Sequence, residues 1–237
     1  MLVKTPGIAI KNTKYGETSV ISKIYTRQFG MQSFIINGIH AAKAAIKPSQ
    51  LQSLVLLDLV IYNNHTKKLQ RIKELKSQPV LANLHFDVIK SSIGMYMAEL
   101  IYKTIKEEEP NEALYDFLEE MVLKLDTAKG KLSFLPLVFT IRLSGLLGFY
   151  PQNNFSNERK IFSLQDGRFK EFPDKNEEII EAPYTEYLSG LLQENPTQPI
   201  PRQARTYLLN RLMDYYNAHI PSFQEIKSLS VLHSVLE

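Results

Sequence analysis

The hydrophobic period of the chain changes near residue 80, and that change bounds the fold. Before it, apolar residues come in short β-branched runs bounded by Gly, Asn or polar residues, the pattern of strands. "GIAIK" precedes a polar turn, "NTKYGE"; "TSVISKIYT", "QFG" and "MQSFIINGI" follow. "HAAKAAIKPSQ" reads as a loop. "LQSLVLLDLVIY", a near-continuous apolar run closed by the turn "NNH", reads as a central strand. "TKKLQRIKEL" is either a fifth strand or a short helix, and the spacing of Leu69, Ile72 and Leu75 by three leans it toward helix. Five short strands in roughly 75 residues suit a small closed barrel of the OB type, which leaves no open edge.

Beyond residue 80, Phe86, Ile89, Ile93, Met97, Leu100, Ile101 and Ile105 recur at three and four, the helical spacing. Pro110 stops that helix after the acidic run Glu107–Glu109, and Asn111 can cap the next one. Leu114, Phe117, Leu118, Met121, Val122 and Leu125 give that second helix one apolar stripe, and Gly130 breaks it. "LSFLPLVFTIRLSGLLGFY" is apolar nearly all round, so it belongs at the centre of a helical body. "KIFSLQDGRFKEF" signals a hairpin turning at Asp166-Gly167. Two further helices follow, the second opened by Pro201, and the tail "SLSVLHSVL" is apolar enough to dock. The expected class is α+β: an OB barrel over residues 1–79, then a mainly helical domain over 80–237 with a hairpin module at about 152–183. A chain of 237 residues is long enough for two such domains.

Charge is divided unevenly along this plan. Residues 1–80 hold ten Lys and two Arg against Glu17, Asp58 and Glu74, a net of +9; residues 81–237 hold 16 basic and 22 acidic residues, a net of −6. A basic front of this kind suggests a surface that faces phosphate. Zero cysteines exclude disulfides, thiolate metal sites, iron–sulfur clusters and cysteine nucleophiles, and fit a cytosolic setting. "MLVKTPGIAIK" has no long apolar run, so a signal peptide is not expected, and no segment offers the apolar length of a membrane span.

Material for catalysis is poor. His40, His65, His85, His219 and His233 stand singly, without metal-ligand spacing. "AKGKLS" lacks the earlier glycine and the preceding strand of a phosphate loop, and neither G-x-G-x-x-G nor G-x-S-x-G occurs. The run Glu107–Glu109 reads as a solvated helix end. The chain is read as a non-enzyme with no cofactor and no metal.

Binding chemistry is better represented. One face of the second strand carries Ile21, Lys23, Tyr25 and Arg27; the other carries Val20, Ser22, Ile24 and Thr26. Cations hold phosphates and aromatic rings stack single-stranded bases, so Lys23, Tyr25 and Arg27 form a candidate nucleic-acid face. Lys11, Lys14 and Tyr15 repeat the pairing at the first turn, Lys43 and Lys47 extend it into the following loop, and Lys67, Lys68 and Arg71 follow the "NNH" turn that ends at His65. Each lysine alone is an ordinary solvated residue; the cluster is notable because its acidic counterpart is so thin. Arg142 is either a paired core arginine or a cation at the edge of an apolar pocket, beside Phe139 and Leu146, suited to the end of an acidic-hydrophobic peptide.

The order of these parts resembles the RecO family of bacterial DNA repair proteins. "IAIKNTKYGETSVISKIYTRQFGMQSFIINGI" matches the family's front at Lys11, Tyr15, Gly16, Glu17, Ser19, Tyr25, Thr26, Arg27, Gly30 and Gly38. "LQSLVLLDLVIY", residues 91–123 and "LSGLLGFYP" continue the match over nearly the whole chain. The resemblance implies an OB front, a helical body and a role in recombinational repair: binding single- and double-stranded DNA, annealing complementary strands, acting with RecR to help RecA displace the single-strand-binding protein, and engaging that protein's acidic C-terminal tail. It implies a cytoplasmic, nucleoid-associated protein. Two departures stand out. Some members hold zinc with four cysteines after the "GFYP" position; here "QNNFSNERKIFSLQDGRFKEF" fills the space, and Phe155, Ile161, Phe162, Phe169 and Phe172 are expected to pack in place of the metal. The usually basic loop after Gly38 keeps only Lys43 and Lys47 beside His40, so its alanines are expected to weaken its share of DNA contact. A protein-interaction scaffold that docks an acidic partner, and an RNA-binding OB module, stand as alternatives.

Overall fold

Strand β1 is the spine of the front. It runs Leu2–Tyr15 and pairs antiparallel with β2 (Ser19–Thr26) on one side and β4 (Leu56–Tyr62) on the other. β3 (Gly30–Ile36) pairs with β2, and β5 (Arg71–Ser77) with β4, giving the order β3-β2-β1-β4-β5. The two edges meet where Phe34 bridges Gln70: the Gln70 N–H donates to the Ser33 carbonyl at 2.8 Å and the Ile35 N–H to the Gln70 carbonyl at 3.1 Å. The sheet thereby rolls into a five-stranded barrel of OB connectivity. The structure is a computed structural model that describes every residue except 42, 43, 65, 107, 131, 194–198 and 237.

Alternation decides what fills the barrel. Ala9, Ile24, Phe34, Val55, Leu57, Leu59 and Ile61 form its inner cluster, and Ile36, Ile39 and Leu51 close one end. Gly7 lies where a Cβ would meet Ile24 at 2.8 Å and Leu59 at 2.9 Å, so the strands approach there only because that residue has no side chain. The first strand is longer than the sequence pattern implied: Asn12–Tyr15 belong to β1, and the turn proper is residues 16–18, with Gly16 at φ +69°.

The "RIKEL" segment is a strand, not the helix its spacing suggested. Ile61 pairs with Ile72 and Val60 with Glu74, so Lys73 is an extra, bulged residue. The bulge lets Ile72 and Leu75, three apart, both pack against the interior. A spacing of three therefore arose within a strand, and pairing with β4 overrode the local pattern.

Two helices complete the first compact unit, Met1–Lys129. α1 (Val88–Thr104) is capped by Asp87, which accepts from the Lys90 N–H. It ends at Thr104, ahead of the acidic run rather than at Pro110. Phe86 and Ile89, expected in its apolar stripe, are exposed, because the burying face starts only at Lys90. α2 (Glu112–Thr127) is capped by Asn111 as its sequence implied, the side chain accepting from the Leu114 N–H at 3.0 Å. Buried Asp126 near the end of α2 accepts the backbone N–H groups of Ala82, Asn83 and Leu84 at 2.7–3.1 Å. The Lys90 ammonium donates to the Asp126 carbonyl at 2.6 Å. These bonds hold the Asp126 carboxyl below the usual carboxylate range against the opposing pull of burial.

The second unit, Gly130–Glu237, is built around α3 (Leu135–Leu146). Leu137, Phe139, Ile141 and Leu143 are buried, and the Tyr216 hydroxyl of α5 (Arg202–His219) donates to the Thr140 carbonyl at 2.7 Å. β6 (Ile161–Ser163) and β7 (Arg168–Lys170) form the anticipated hairpin, with Gly167 at φ +65°; β8 (Ile179–Ile180), which the sequence pattern did not show, joins on the β6 side. Phe162 packs edge-on to Phe169 at 5.0 Å, and Phe155 to Phe169 at 5.3 Å. Phe172 takes no part: it is 73% exposed. α4 (Tyr184–Leu191) and the docked tail helix α6 (Ser228–Val235), which buries Leu232, complete the unit. No described helix is long and apolar enough to cross a membrane.

Candidate nucleic-acid interface

The outer face of the barrel is divided by what covers it. On one half, Ile8 pairs with Tyr25 across β1 and β2, and both are buried. Tyr25 is only 1% exposed: its ring stacks on Tyr115 of α2 at 6.5 Å and its hydroxyl reaches the Asn111 carbonyl at 3.5 Å. The expectation that Tyr25 offers its ring to bases is therefore overturned; alternation placed it on the outer face, but α2 occupies that face. Burial and Glu119 push the Tyr115 hydroxyl well above its ordinary value, so it stays a neutral filler of this seam.

Arg27, next along the same strand face, is committed to α2 as well. It pairs with Asp116 at 2.9 Å and Glu112 at 3.6 Å, and lies over the Tyr115 ring at 5.6 Å. Two carboxylates offset its charge, which removes it from the free cationic face.

The other half of the face is uncovered. A bulge at Ile10 brings Lys11 directly opposite Lys23. Thr13 and Tyr15 continue the same side of β1, and Ser19 and Ile21 the same side of β2. Tyr15 is 52% exposed at the turn. The Lys11 ammonium sits over the Tyr102 ring of α1 at 4.0 Å, a cation–π contact that fixes where the charge stands. Lys14 pairs with Val20 and so alternates to the opposite side of the hairpin.

From Lys23 the face continues around the barrel. Lys23 pairs with Ser33 of β3, whose carbonyl accepts the Gln70 N–H, and Arg71 follows Gln70 on the outside. Arg71 is opposite Tyr62, which is 48% exposed. Lys67 and Lys68 are exposed in the loop that leads into this corner. Lys11, Tyr15 and Lys23 thus share one face of the β1–β2 hairpin, Arg71 lies on the outer face of β5, Lys67 and Lys68 are exposed in the loop before it, and Tyr25 and Arg27 are packed against α2. Lys47 is exposed at the start of the short 3₁₀ turn Pro48–Leu51. Lys43 and His65 lie outside the described residues.

Three residues of this surface escaped the sequence reading. Tyr62 had a signal: Leu57, Leu59 and Ile61 alternate inward, so Tyr62 must point out. Tyr102 had none, since its partner Lys11 is distant in sequence. Gln70 had none either; its importance comes from closing the barrel.

Of the residues expected to line a peptide pocket beside Arg142, Phe139 is fully buried in the core of the second unit and Leu146 is half-buried. Arg142 is exposed, which overturns the core reading, and its charge acts on the Tyr150 hydroxyl, which burial nonetheless raises. A different recess in this unit joins Pro136, Leu137 and Leu209 to Arg202 and Arg205.

The barrel topology, the helical body and the small three-stranded sheet define an OB-fronted α+β protein. The chain belongs to the recombination protein O family: the family's N-terminal model matches residues 1–78 and its C-terminal model residues 85–228. It is similar to proteins named DNA repair protein RecO: 33% identical to that of Christiangramia forsetii over 99% of both chains, and 32% identical to that of Bacteroides fragilis over the full length of both. That of Azobacteroides pseudotrichonymphae is 31% identical, again over the full length of both chains.

Proposed function

We propose that the chain is a non-catalytic, sequence-independent DNA-binding mediator of recombinational repair. The observation that carries this reading is the direct opposition of Lys11 and Lys23 on the uncovered barrel face. Like charges directly across a sheet destabilise it. A phosphate bridging the two ammonium groups would offset that cost, and Tyr15 stands along the same hairpin to stack a base. Nothing in such a surface reads base edges, so binding is expected to be indifferent to sequence. Annealing follows from the same charge: two strands repel less when both lie on a cationic wall.

Within this reading, RecR, RecA and the single-strand-binding protein are the partners through which bound DNA is handed on. The protein needs no resident metal or cofactor for this work.

The test is binding to single-stranded DNA across a salt series. Neutralising about six phosphates gives a log–log slope of roughly −4. A slope near zero rejects the reading and favours a scaffold that docks an acidic protein. Retention on single-stranded DNA at about 0.1 M salt without other proteins separates those two, and competition with RNA separates the RNA-binding alternative.

A further inference from the structure

We infer that Gln70 is the positioning residue of a phosphate-holding segment, Asn64 and residues 66–70, and that its carboxamide sets Lys67 and Lys68 beside the Lys23 face. Gln70 is 5% exposed, and a buried carboxamide is costly unless its donors and acceptor are met. All are met, and all within this loop. Its Oε1 accepts the Asn64 N–H at 3.0 Å; its Nε2 donates to the Asn64 carbonyl at 2.8 Å and to the Lys67 carbonyl at 2.6 Å. The Asn64 side chain in turn accepts from the Thr66 N–H and hydroxyl at 3.0 and 2.7 Å.

The same residue carries both backbone bonds of the barrel seam, to Ser33 and Ile35. Ser33 is the β3 neighbour of Lys23. Gln70 therefore registers the loop against the strand next to Lys23: its backbone fixes where the loop leaves the barrel, and its side chain fixes how the loop folds. The β5 and β2 chains are then two strand spacings apart, about 10 Å. Where the backbone at Lys67 is already held by the carboxamide, less ordering is needed when the lysines engage phosphate, so Gln70 raises affinity without touching the nucleic acid. A carboxamide supplies an acceptor and two donors without charge.

This inference rests on the nucleic-acid reading above, and the experiment separates the two. Gln70→Met keeps the side chain's length and every charge of the protein while deleting its hydrogen bonds. Binding of a labelled oligothymidylate is followed by anisotropy across salt for wild type, Gln70→Met, Lys67→Ala/Lys68→Ala and the triple variant. Loss of two phosphate contacts lowers the salt slope by about 1.4, and Gln70→Met should show that loss although no cation has been removed. In the Gln70→Met background, deleting both lysines should then weaken binding by less than about twofold, a cycle far from additive. If the lysine deletions cost the same in both backgrounds, Gln70 is merely structural and the inference falls. A wild-type slope near zero removes the nucleic-acid reading and this inference with it. Should Gln70→Met fail to fold, Asn64→Ala/Thr66→Val disturbs only the exposed loop. It should lower the slope in the same way, and an unchanged slope overturns the inference.

Discussion

Arg27 reaches from the end of β2 to Asp116 on α2 with both terminal nitrogens, at 2.9 and 3.3 Å, and so ties the barrel wall to its helical cover. A cation that reads as a DNA contact in the sequence is here a fastener. Arg27→Ala should lower stability by about 1 kcal/mol, since the pair is partly exposed, and leave the salt slope of DNA binding unchanged. Lys11→Ala/Lys23→Ala should do the reverse: the slope falls by about 1.4 on single strands while the melting temperature holds or rises, because a like-charge pair has been removed. Thermal melts and anisotropy on wild type and these two variants check both statements.

Tyr25 gives a second contrast. Its ring fills the space between β2 and Tyr115, so Tyr25→Ala should cost about 3–5 kcal/mol in urea unfolding. Tyr15→Ala, at an exposed turn, should cost under about 0.5 kcal/mol yet weaken single-strand binding by about 1–3 kcal/mol, the worth of one stacked base. Equal binding losses for the two would mean that the buried ring reaches bases after all.

Asp126 should make stability depend on acid. Its folded carboxyl titrates below the ordinary carboxylate value, so the unfolded chain binds a proton first as pH falls. Its contribution is therefore full above the ordinary carboxylate range and is lost as pH drops through the lower folded value. Asp126→Ala should cost about 3 kcal/mol near neutrality, from three backbone donors left without their charged acceptor. That gap should narrow in unfolding curves taken progressively below pH ~4.

The hairpin module should hold without metal. Phe169→Ala removes the ring on which both Phe155 and Phe162 pack and should cost about 3–5 kcal/mol, whereas exposed Phe172→Ser should be near neutral. Chelator should leave the wild-type melting temperature unchanged, and added zinc should not rescue Phe169→Ala.

Much of this architecture is legible in the residues themselves. The change of period near residue 80, the Asn111 cap, the Asp166-Gly167 turn and the apolar α3 all depend on neighbours in sequence, and the structure keeps them. What was not legible depended on distant partners. Pairing with β4 and a bulge at Lys73 made a strand of a segment whose spacing leaned helical. The outward face of β2 was rightly drawn, yet nothing local tells that α2 covers Tyr25 and engages Arg27 while Lys23 stays clear. The basic composition of the front is thus legible in the sequence, but which of its residues are covered depends on what packs over them.

Among the described residues, the seam of the barrel is held by the two backbone bonds at Gln70. A cylinder fastened at a single stud has a preferred place to come undone. Gentle warming or pulling should unroll it between β3 and β5 while β1, gripped on both flanks, stays laced. The first casualty of such loosening would be the corner that carries Lys67, Lys68 and Arg71, so the hold on a polyanion would slacken well before the fold itself is lost.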